Sequence, residues 1–144
     1  MIPDKRYKLV CLFARERGVR ALEGLLDDGR FDIAALLVHK KLPFSEDPGR
    51  GIRPEFETFE KTAERRSIPL FSIDTRTEAA QLAPLSSIGA FDFLITVSWR
   101  FLVPEHVFSK AGIGAINAHR GRLPEYAGAE PVKRALKKGD REIV

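Results

Sequence analysis

Five short apolar segments that alternate with stretches of helical periodicity constrain the fold of this chain more than any other feature. The first, Lys8–Phe13, is almost continuously apolar, which is typical of a parallel strand buried on both faces. The other predicted strands are Phe31–His39, Pro69–Ile73, Phe91–Val97 and Gly112–Asn117. Strands that alternate with helices predict an α/β fold in which a parallel sheet forms the middle of three layers.

Amphipathic patterns between these segments predict the helices. The first helix begins at about Arg17, has its leucines on one stripe and can end at Gly29. The other predicted helices are Glu55–Ser67, Thr77–Leu85, Pro104–Lys110 and Glu130–Lys138. The region Lys40–Pro54 is a loop rich in proline, glycine and charge, and its length indicates a function rather than a simple connection.

The composition limits the class of protein. A chain of 144 residues, 44% hydrophobic and 31% charged, is long enough for one globular domain with a hydrophobic core. No apolar run approaches the roughly 20 residues of a membrane span, and the first residues do not lead into a signal peptide. We therefore expect a cytoplasmic protein without a membrane partner. The single cysteine, Cys11, is predicted to be a buried structural thiol because it lies in an apolar run.

A polar pair marks the end of the fifth predicted strand. The segment 113–116 predicts a short buried strand, and Asn117 and His119 stand at its downstream end. Residues two apart on a strand project to the same face, and ligands of open parallel sheets bind beyond the carboxyl ends of the strands. A carboxamide and an imidazole placed there could stabilise an oxygen that gains negative charge. The alternative is that both side chains cap neighbouring loops.

Other candidate sites have weaker support. The chain has no Gly-x-Gly-x-x-Gly and no Walker-type Gly-Lys-Ser/Thr, which argues against nicotinamide and ATP enzymes. Arg15 and Arg17 lie near a predicted helix N-terminus, where they could meet an anionic group or simply be solvated. No histidine pair has the i, i+4 spacing of a metal site, so we predict no metal. The net charge of +4 tilts modestly toward anionic partners such as nucleotides, phosphates or RNA, whereas the basic face of the last helix favours a solvated surface over a nucleic-acid patch.

One run of the sequence resembles the signature of the folate-dependent formyltransferases. It is Asn117–Gly128, Asn-Ala-His-Arg-Gly-Arg-Leu-Pro-Glu-Tyr-Ala-Gly. The signature is Asn-x-His-x-Ser/Gly-x-Leu-Pro followed by an aromatic residue, any residue and Gly, and each fixed element is present. The segment Trp99–Pro104 is similar to the family's loop after the fourth strand. The resemblance implies a Rossmann-like formyltransferase core, with residues 1–144 forming the N-terminal catalytic domain.

The resemblance also implies an activity, the transfer of a formyl group from 10-formyltetrahydrofolate to an amine. Asn117 and His119 would be the catalytic pair, because together they would polarise the formyl oxygen. The folate would lie against the loop after the fourth strand, which consists of Ser98, Trp99, Arg100, Phe101, Leu102, Val103 and Pro104. The candidate substrate-binding residues are Arg15, Arg17, Arg50, Arg120, Leu123, Pro124, Tyr126 and Gly128.

The resemblance leaves the amine acceptor open. Asp47–Gly51 is similar to the Pro-x-Gly-Arg-Gly loop of methionyl-tRNA formyltransferases, which favours an aminoacyl-tRNA, and a nucleotide sugar is the alternative. Arg100 and Ala127 stand where relatives commonly carry a glycine and a basic residue. The family's downstream Asp would fall beyond Val144, so we expect a core that is truncated after the fifth strand and its helix. The remaining alternatives are a non-catalytic folate- or nucleotide-binding fragment and hydrolysis of formyl-folate to formate.

Overall fold

The computed structural model describes residues 4–120, 123–125, 127–128 and 131–142. In this part of the chain one sheet contains five strands, all paired in parallel. Their order across the sheet is β3-β2-β1-β4-β5. The strands are β1 (Tyr7–Phe13), β2 (Phe31–Val38), β3 (Leu70–Ser72), β4 (Phe91–Val97) and β5 (Ala111–Ala118). The predicted parallel α/β sheet is thereby confirmed.

Helices cover both faces of the sheet, which confirms the three-layer prediction. They are α1 (Arg15–Asp27), α2 (Phe56–Arg66), α3 (Arg76–Gln81), α4 (Glu105–Phe108) and α5 (Pro131–Lys138), with a 3₁₀ turn at Ala83–Ser87. On one face, Leu22 of α1 and Phe59 of α2 pack in a single apolar cluster. On the other face, a second cluster contains Ala79 of α3 and Val107 of α4. No described helix is both long and apolar enough to cross a membrane.

The central strand β1 supplies side chains to both apolar layers. Leu9, Cys11 and Phe13 belong to the cluster under α1 and α2, whereas Val10 and Leu12 belong to the opposite one. All five side chains are fully buried, and each large apolar side chain stabilises the fold by about 1.5–3 kcal/mol. Burial raises the pKa of the Cys11 thiol far above its usual value, which agrees with the predicted structural thiol.

The third helix is shorter than its apolar pattern predicts. It ends at Gln81 instead of Leu85, because Leu82 adopts a left-handed conformation with φ of 39°. Pro84 follows near the start of the 3₁₀ turn, where its missing N–H does no harm. The helix begins behind a capping box, in which Thr75 accepts a hydrogen bond from the Glu78 N–H and the Glu78 carboxylate accepts one from the Thr75 N–H.

The prediction that the fifth strand is buried was wrong. Ile113 and Ile116 of β5 have 54% and 52% of their surface exposed. The reason is position, since β5 pairs with β4 alone among the described strands and forms one edge of the sheet. Apolar content therefore identified the strand correctly but could not show how many neighbours cover it.

Candidate functional site

Four polar side chains lie at the carboxyl ends of the strands. His39 follows β2, Asp74 lies two residues after β3, Ser98 follows β4 and His119 follows β5. Parallel strands all end on the same side of the sheet, so these residues lie on that side although they are far apart in sequence. The candidate site is therefore built from the segments that leave β2, β3, β4 and β5.

Asn117 is oriented by a hydroxyl group from the neighbouring strand. The β4–β5 register places Thr96 opposite Asn117, and the Thr96 hydroxyl donates a 2.7 Å hydrogen bond to Asn117 Oδ1. Thr96 is buried, whereas Asn117 is exposed. Because the carboxamide oxygen is held toward β4, the NH₂ group is the end of Asn117 that can donate to a ligand.

His119 lies one residue beyond β5 and is half-buried. Asn117 is the second-last residue of β5, so both members of the predicted pair lie at the carboxyl end of that strand. Cross-strand partners share a face, and Thr96 lies two residues after Leu94, which belongs to the cluster under α3 and α4. Asn117 therefore lies on the α3/α4 face of the sheet.

The loop Ser98–Pro104 crosses from β4 toward β2 and β3. It turns at Ser98, which has a left-handed φ of 55°. The Arg100 N–H then donates to His39 Nε2 at 3.3 Å, and the Arg100 guanidinium donates through Nη2 to the Asp74 carbonyl oxygen at 3.2 Å. The loop thus passes over the end of β1, which lies between β4 and β2.

Apolar side chains anchor this loop to the sheet. Trp99, Phe101 and Val103 are partly buried and pack against the cluster under α3 and α4. Pro104 is the N-cap residue of α4, and the N–H groups of Val107 and Phe108 donate to its carbonyl oxygen. Leu102 is the exception, because 94% of its surface is exposed. Leu102 is therefore placed to contact a ligand or solvent rather than the core.

A cavity of about 870 Å³ opens beside the loop. It lies against α3, on the same face of the sheet as Asn117 and at the carboxyl ends of the strands. Neither Asn117 nor His119 is among the described residues that line it. Its lining residues are Pro43, Phe44, Ser45, Arg50, Asp74, Thr75, Arg76, Ala79, Ala80, Arg100, Phe101, Leu102 and Pro104. The cavity thus includes four of the seven predicted folate-contacting residues.

The cavity combines apolar walls with three guanidinium groups, those of Arg50, Arg76 and Arg100. Arg100 Nη1 is buried and has no hydrogen-bond partner among the described residues. Burial lowers the pKa of Arg100, and the charge of nearby Arg53 lowers it further. An anionic group entering the cavity would relieve both effects by pairing with this guanidinium.

Arg50 is the predicted substrate-binding residue that the structure brings to this cavity. It donates through Nε to the Leu42 carbonyl at 3.1 Å and through Nη2 to the Asp74 carbonyl at 3.0 Å. Its guanidinium also lies over the Phe44 ring, 5.0 Å from the centroid. Arg50 thereby fixes the end of the long loop after β2 to the segment after β3.

Arg15 and Arg17 lie on the first turn of α1, and both are exposed. The Arg15 guanidinium forms a 2.8 Å ion pair with Glu46, so a ligand at this position would compete with that carboxylate. The cavity lining includes neither arginine. Their predicted role in binding substrate remains a prediction.

The remaining predicted residues belong to the turn after β5. Arg120, Leu123, Pro124 and Gly128 are exposed, and Gly128 has a φ of 88°, which favours glycine. Tyr126 lies outside the described residues. In the part of the chain that is described, no group of three or more histidine, cysteine or acidic side chains is arranged to hold a metal ion.

Sequence reasoning missed Thr96, Asp74 and the contacts of His39. A polar residue one position before the end of an apolar strand was the available signal for Thr96, and strand-end polarity was the signal for Asp74. His39 is buried, with only 2% of its surface exposed. Its partners come from two other segments, which no local pattern reveals.

Comparison with known proteins places the chain in a family. Residues 25–143 match the profile of a family described as formyl transferase. Methionyl-tRNA formyltransferase of Bartonella henselae is 33% identical over 124 residues, covering 86% of this chain and 38% of the relative. The enzyme of the same name from Dechloromonas aromatica is 29% identical over 135 residues, covering 94% and 42%. The chain therefore spans about two fifths of the length of these curated relatives.

Solved structures share the fold at low sequence identity. A formyltetrahydrofolate deformylase from Pseudomonas syringae superposes with a TM-score of 0.66 at 17% identity, over 94% of this chain and 43% of that one. Glycinamide ribonucleotide transformylase 1 from Symbiobacterium toebii superposes with a TM-score of 0.64 at 19% identity, over 93% and 61%. The family match over residues 25–143, together with this shared fold, shows that the chain belongs to the formyl transferase family.

Proposed function

We propose that this chain is the catalytic core of an enzyme that transfers a formyl group from 10-formyltetrahydrofolate to an amine. The observation that carries the proposal is the hydrogen bond from Thr96 to Asn117, which turns the Asn117 NH₂ group into an oriented donor at the carboxyl edge of the sheet. A fixed donor suits a reaction in which an oxygen gains charge, because it needs no reorganisation as the charge develops.

Formyl transfer requires two tasks of the protein. When the amine nitrogen attacks the formyl carbon, negative charge develops on the formyl oxygen, and the Asn117 NH₂ group donates a hydrogen bond to it. The amine must also lose a proton as the new C–N bond forms and the bond to the folate nitrogen breaks. His119, two residues from Asn117, accepts this proton from the amine and gives it to the folate nitrogen as the bond to that nitrogen breaks, because an imidazole can both accept and donate a proton.

The folate would occupy the cavity beside the loop Ser98–Pro104. Apolar side chains such as Phe101 and Leu102 suit flat aromatic rings, and the guanidinium groups of Arg50, Arg76 and Arg100 suit a carboxylate tail. A folate carries both features. The cavity and Asn117 lie on the same face of the sheet at the carboxyl ends of its strands, so a folate bound there must extend its formyl group along the loop Ser98–Pro104 from the β3 side toward β5.

Methionyl-tRNA is the acceptor that we favour. Two relatives that align over most of this chain carry the name methionyl-tRNA formyltransferase. The Pro48–Gly51 segment also resembles the corresponding loop of that group. A nucleotide-sugar amine is the comparison substrate for the experiment below.

The experiment measures formyl transfer to methionyl-tRNA and to an amino-sugar nucleotide in the wild type, Asn117→Ala and His119→Ala. We expect each substitution to lower the transfer rate by roughly 100-fold or more, because each removes a group that acts in the transition state. His106→Ala is the control, since His106 is exposed on α4 and is not among the described residues that line the cavity. Near-wild-type rates in both site variants would contradict the proposal.

Two further measurements separate the alternative functions. Calorimetry with 10-formyl-5,8-dideazafolate, a stable analogue, reports folate binding independently of turnover. Binding without turnover would indicate a folate-binding protein rather than a transferase. Release of formate without any amine would indicate hydrolysis instead of transfer.

A further inference from the structure

His39 is a buried titratable group that the proposed chemistry does not use. It follows β2, only 2% of its surface is exposed, and it lies between the segments that leave β3 and β4. Burying an imidazole is unfavourable unless its polar atoms are paired. The partners of His39 therefore indicate what the burial achieves.

Two hydrogen bonds determine which ring nitrogen of His39 carries the proton. Nδ1 lies 2.6 Å from the Ile73 carbonyl oxygen, which can only accept, so Nδ1 is the protonated nitrogen. Nε2 consequently has a free lone pair, and it accepts a hydrogen bond from the Arg100 N–H at 3.3 Å. Both bonds require the same neutral tautomer, and together they join the ends of β2, β3 and the loop Ser98–Pro104.

Aromatic contacts add to the same junction. The Trp99 ring stacks on His39 with 4.1 Å between centroids and 23° between planes. The Phe101 ring meets His39 edge-on at 5.4 Å and 85°. Three consecutive loop residues, Trp99 to Phe101, therefore contact one imidazole. Each aromatic pair contributes beyond its buried area because ring edges and faces carry opposite partial charge.

We propose that neutral His39 is a positioning residue that holds the loop Ser98–Pro104 against the ends of β2 and β3 and thereby fixes the wall of the cavity. Arg100 and Phe101, which line the cavity, are held through their backbone and ring contacts with His39. The identity of the cavity's ligand rests on the proposed function, whereas the role of His39 in the loop does not.

Protonation of His39 would break this junction. An added proton on Nε2 would face the Arg100 N–H, so two donors would oppose each other. The charged groups that face the ring are Arg100, Arg53 and Asp74. Burial lowers the pKa of His39 to about 4, the two guanidinium groups lower it as well, and the Ile73 carbonyl and Asp74 oppose the shift. The ring is therefore neutral in the native state near pH 7.

Fluorescence of Trp99, the only tryptophan in the chain, tests this role without any ligand. A protonated imidazole quenches a stacked indole, so acidification should change the wild-type emission as His39 titrates. In His39→Gln this transition should be absent, whereas His106→Gln, which changes an exposed histidine, should retain it. Far-UV circular dichroism over the same pH range distinguishes titration in the folded state from unfolding.

Binding of 10-formyl-5,8-dideazafolate to the same variants tests the effect on the cavity. His39→Ala removes both hydrogen bonds and should raise Kd by about tenfold. His39→Gln should restore Kd to within roughly threefold of the wild type, because its amide can donate to Ile73 and accept from Arg100. The remaining difference reflects the lost stacking on Trp99. The rate at saturating folate should change by less than about twofold in His39→Gln, since Asn117 and His119 are untouched.

The outcomes separate this proposal from the proposed function. The role of His39 would be overturned if the emission of the wild type and of His39→Gln had the same pH profile. It would also be overturned if His39→Ala bound the analogue with unchanged affinity. If His39→Ala does not fold, the wild-type and His39→Gln emission profiles still decide the question. A wild type that binds no analogue would contradict the proposed function alone, and the emission profiles would then decide the role of His39.

Discussion

At the scale of single residues, the hydroxyl group of Thr96 decides how Asn117 is presented. Its 2.7 Å hydrogen bond fixes a side chain that is otherwise exposed and would be free to rotate. Thr96 is buried in a well-packed strand, so its hydroxyl group holds the exposed Asn117 side chain in one orientation. Asn117 is therefore oriented by β4, although it belongs to β5.

Replacing Thr96 by Val removes this hydroxyl while keeping the shape of the side chain. We expect the rate of formyl transfer to fall by about tenfold, because the carboxamide loses the bond that orients it. Thr96→Ser retains the hydroxyl and should stay within about twofold of the wild type. The measurement is transfer rate at saturating substrates together with the melting temperature. Equal rates in Thr96→Val and the wild type would show that Asn117 needs no such support.

Because the pKa of His39 is lowered in the folded protein, the free energy of unfolding should fall as the pH falls. The unfolded chain binds a proton near pH 6.5 and the folded chain only near pH 4, so lowering the pH across this window favours unfolding. The loss should approach about 3 kcal/mol and level off below pH 4. Urea unfolding at several pH values should show it in the wild type and not in His39→Gln. Parallel curves for the two proteins would refute the assignment.

At the scale of elements, the contact of α1 with β1 depends on a missing side chain. A Cβ at Gly18 would lie 3.0 Å from Phe13 Cβ, 3.2 Å from the Phe13 backbone carbon and 3.3 Å from Phe59 Cζ. Gly24, in the same helix, has no atom of the described residues within 4 Å of such a Cβ. The two glycines therefore form a matched pair for substitution.

Gly18→Ala should destabilise the protein by about 1–2 kcal/mol, because overpacking against Phe13 outweighs the better helix propensity of alanine. Gly24→Ala should stabilise it by about 0.5–1 kcal/mol, since only the propensity changes. The free energy of unfolding in urea measures both. Two substitutions with the same sign would mean that α1 can move away from β1 at little cost.

At the scale of the whole molecule, an ionic network joins three segments around the start of α1. Arg53 contacts Glu55 at 2.8 Å and Glu46 at 3.7 Å, and Glu46 also pairs with Arg15 at 2.8 Å. The Glu55 carboxylate additionally accepts the Arg15 N–H. Because Arg53 is 95% buried, its pair with Glu55 is screened by water less than a surface pair is, whereas the Arg15–Glu46 pair is exposed. The network fixes the long loop after β2 to the turn after β1.

Arg53→Ala should lower the free energy of unfolding by roughly 3 kcal/mol, because it leaves two carboxylates without their buried partner. Arg20→Ala is the control, since it removes an exposed pair with Glu16 and should change stability by less than about 0.5 kcal/mol. Thermal or urea unfolding measures the difference. A small effect of Arg53→Ala would indicate that the loop rearranges to solvate Glu46 and Glu55.

The sequence by itself determined the parallel α/β architecture and the family, because periodicity and a contiguous signature are properties of neighbouring residues. Segment type followed from apolar patterning even where boundaries moved, as at Leu82, whose left-handed backbone ends α3 early. The same patterning located Asn117 at the carboxyl end of β5, because the apolar run of that strand stops there.

Only the tertiary structure decided the environment of these residues. The hydrogen-bonded residues Thr96 and Asn117 are 21 residues apart in sequence, and His39 and Arg100 are 61 residues apart. The cavity likewise draws its walls from separate segments, and the exposure of β5 follows from its place at the edge of the sheet. Such contacts depend on strand order and register, which local patterns do not encode because the same strand can be central or peripheral.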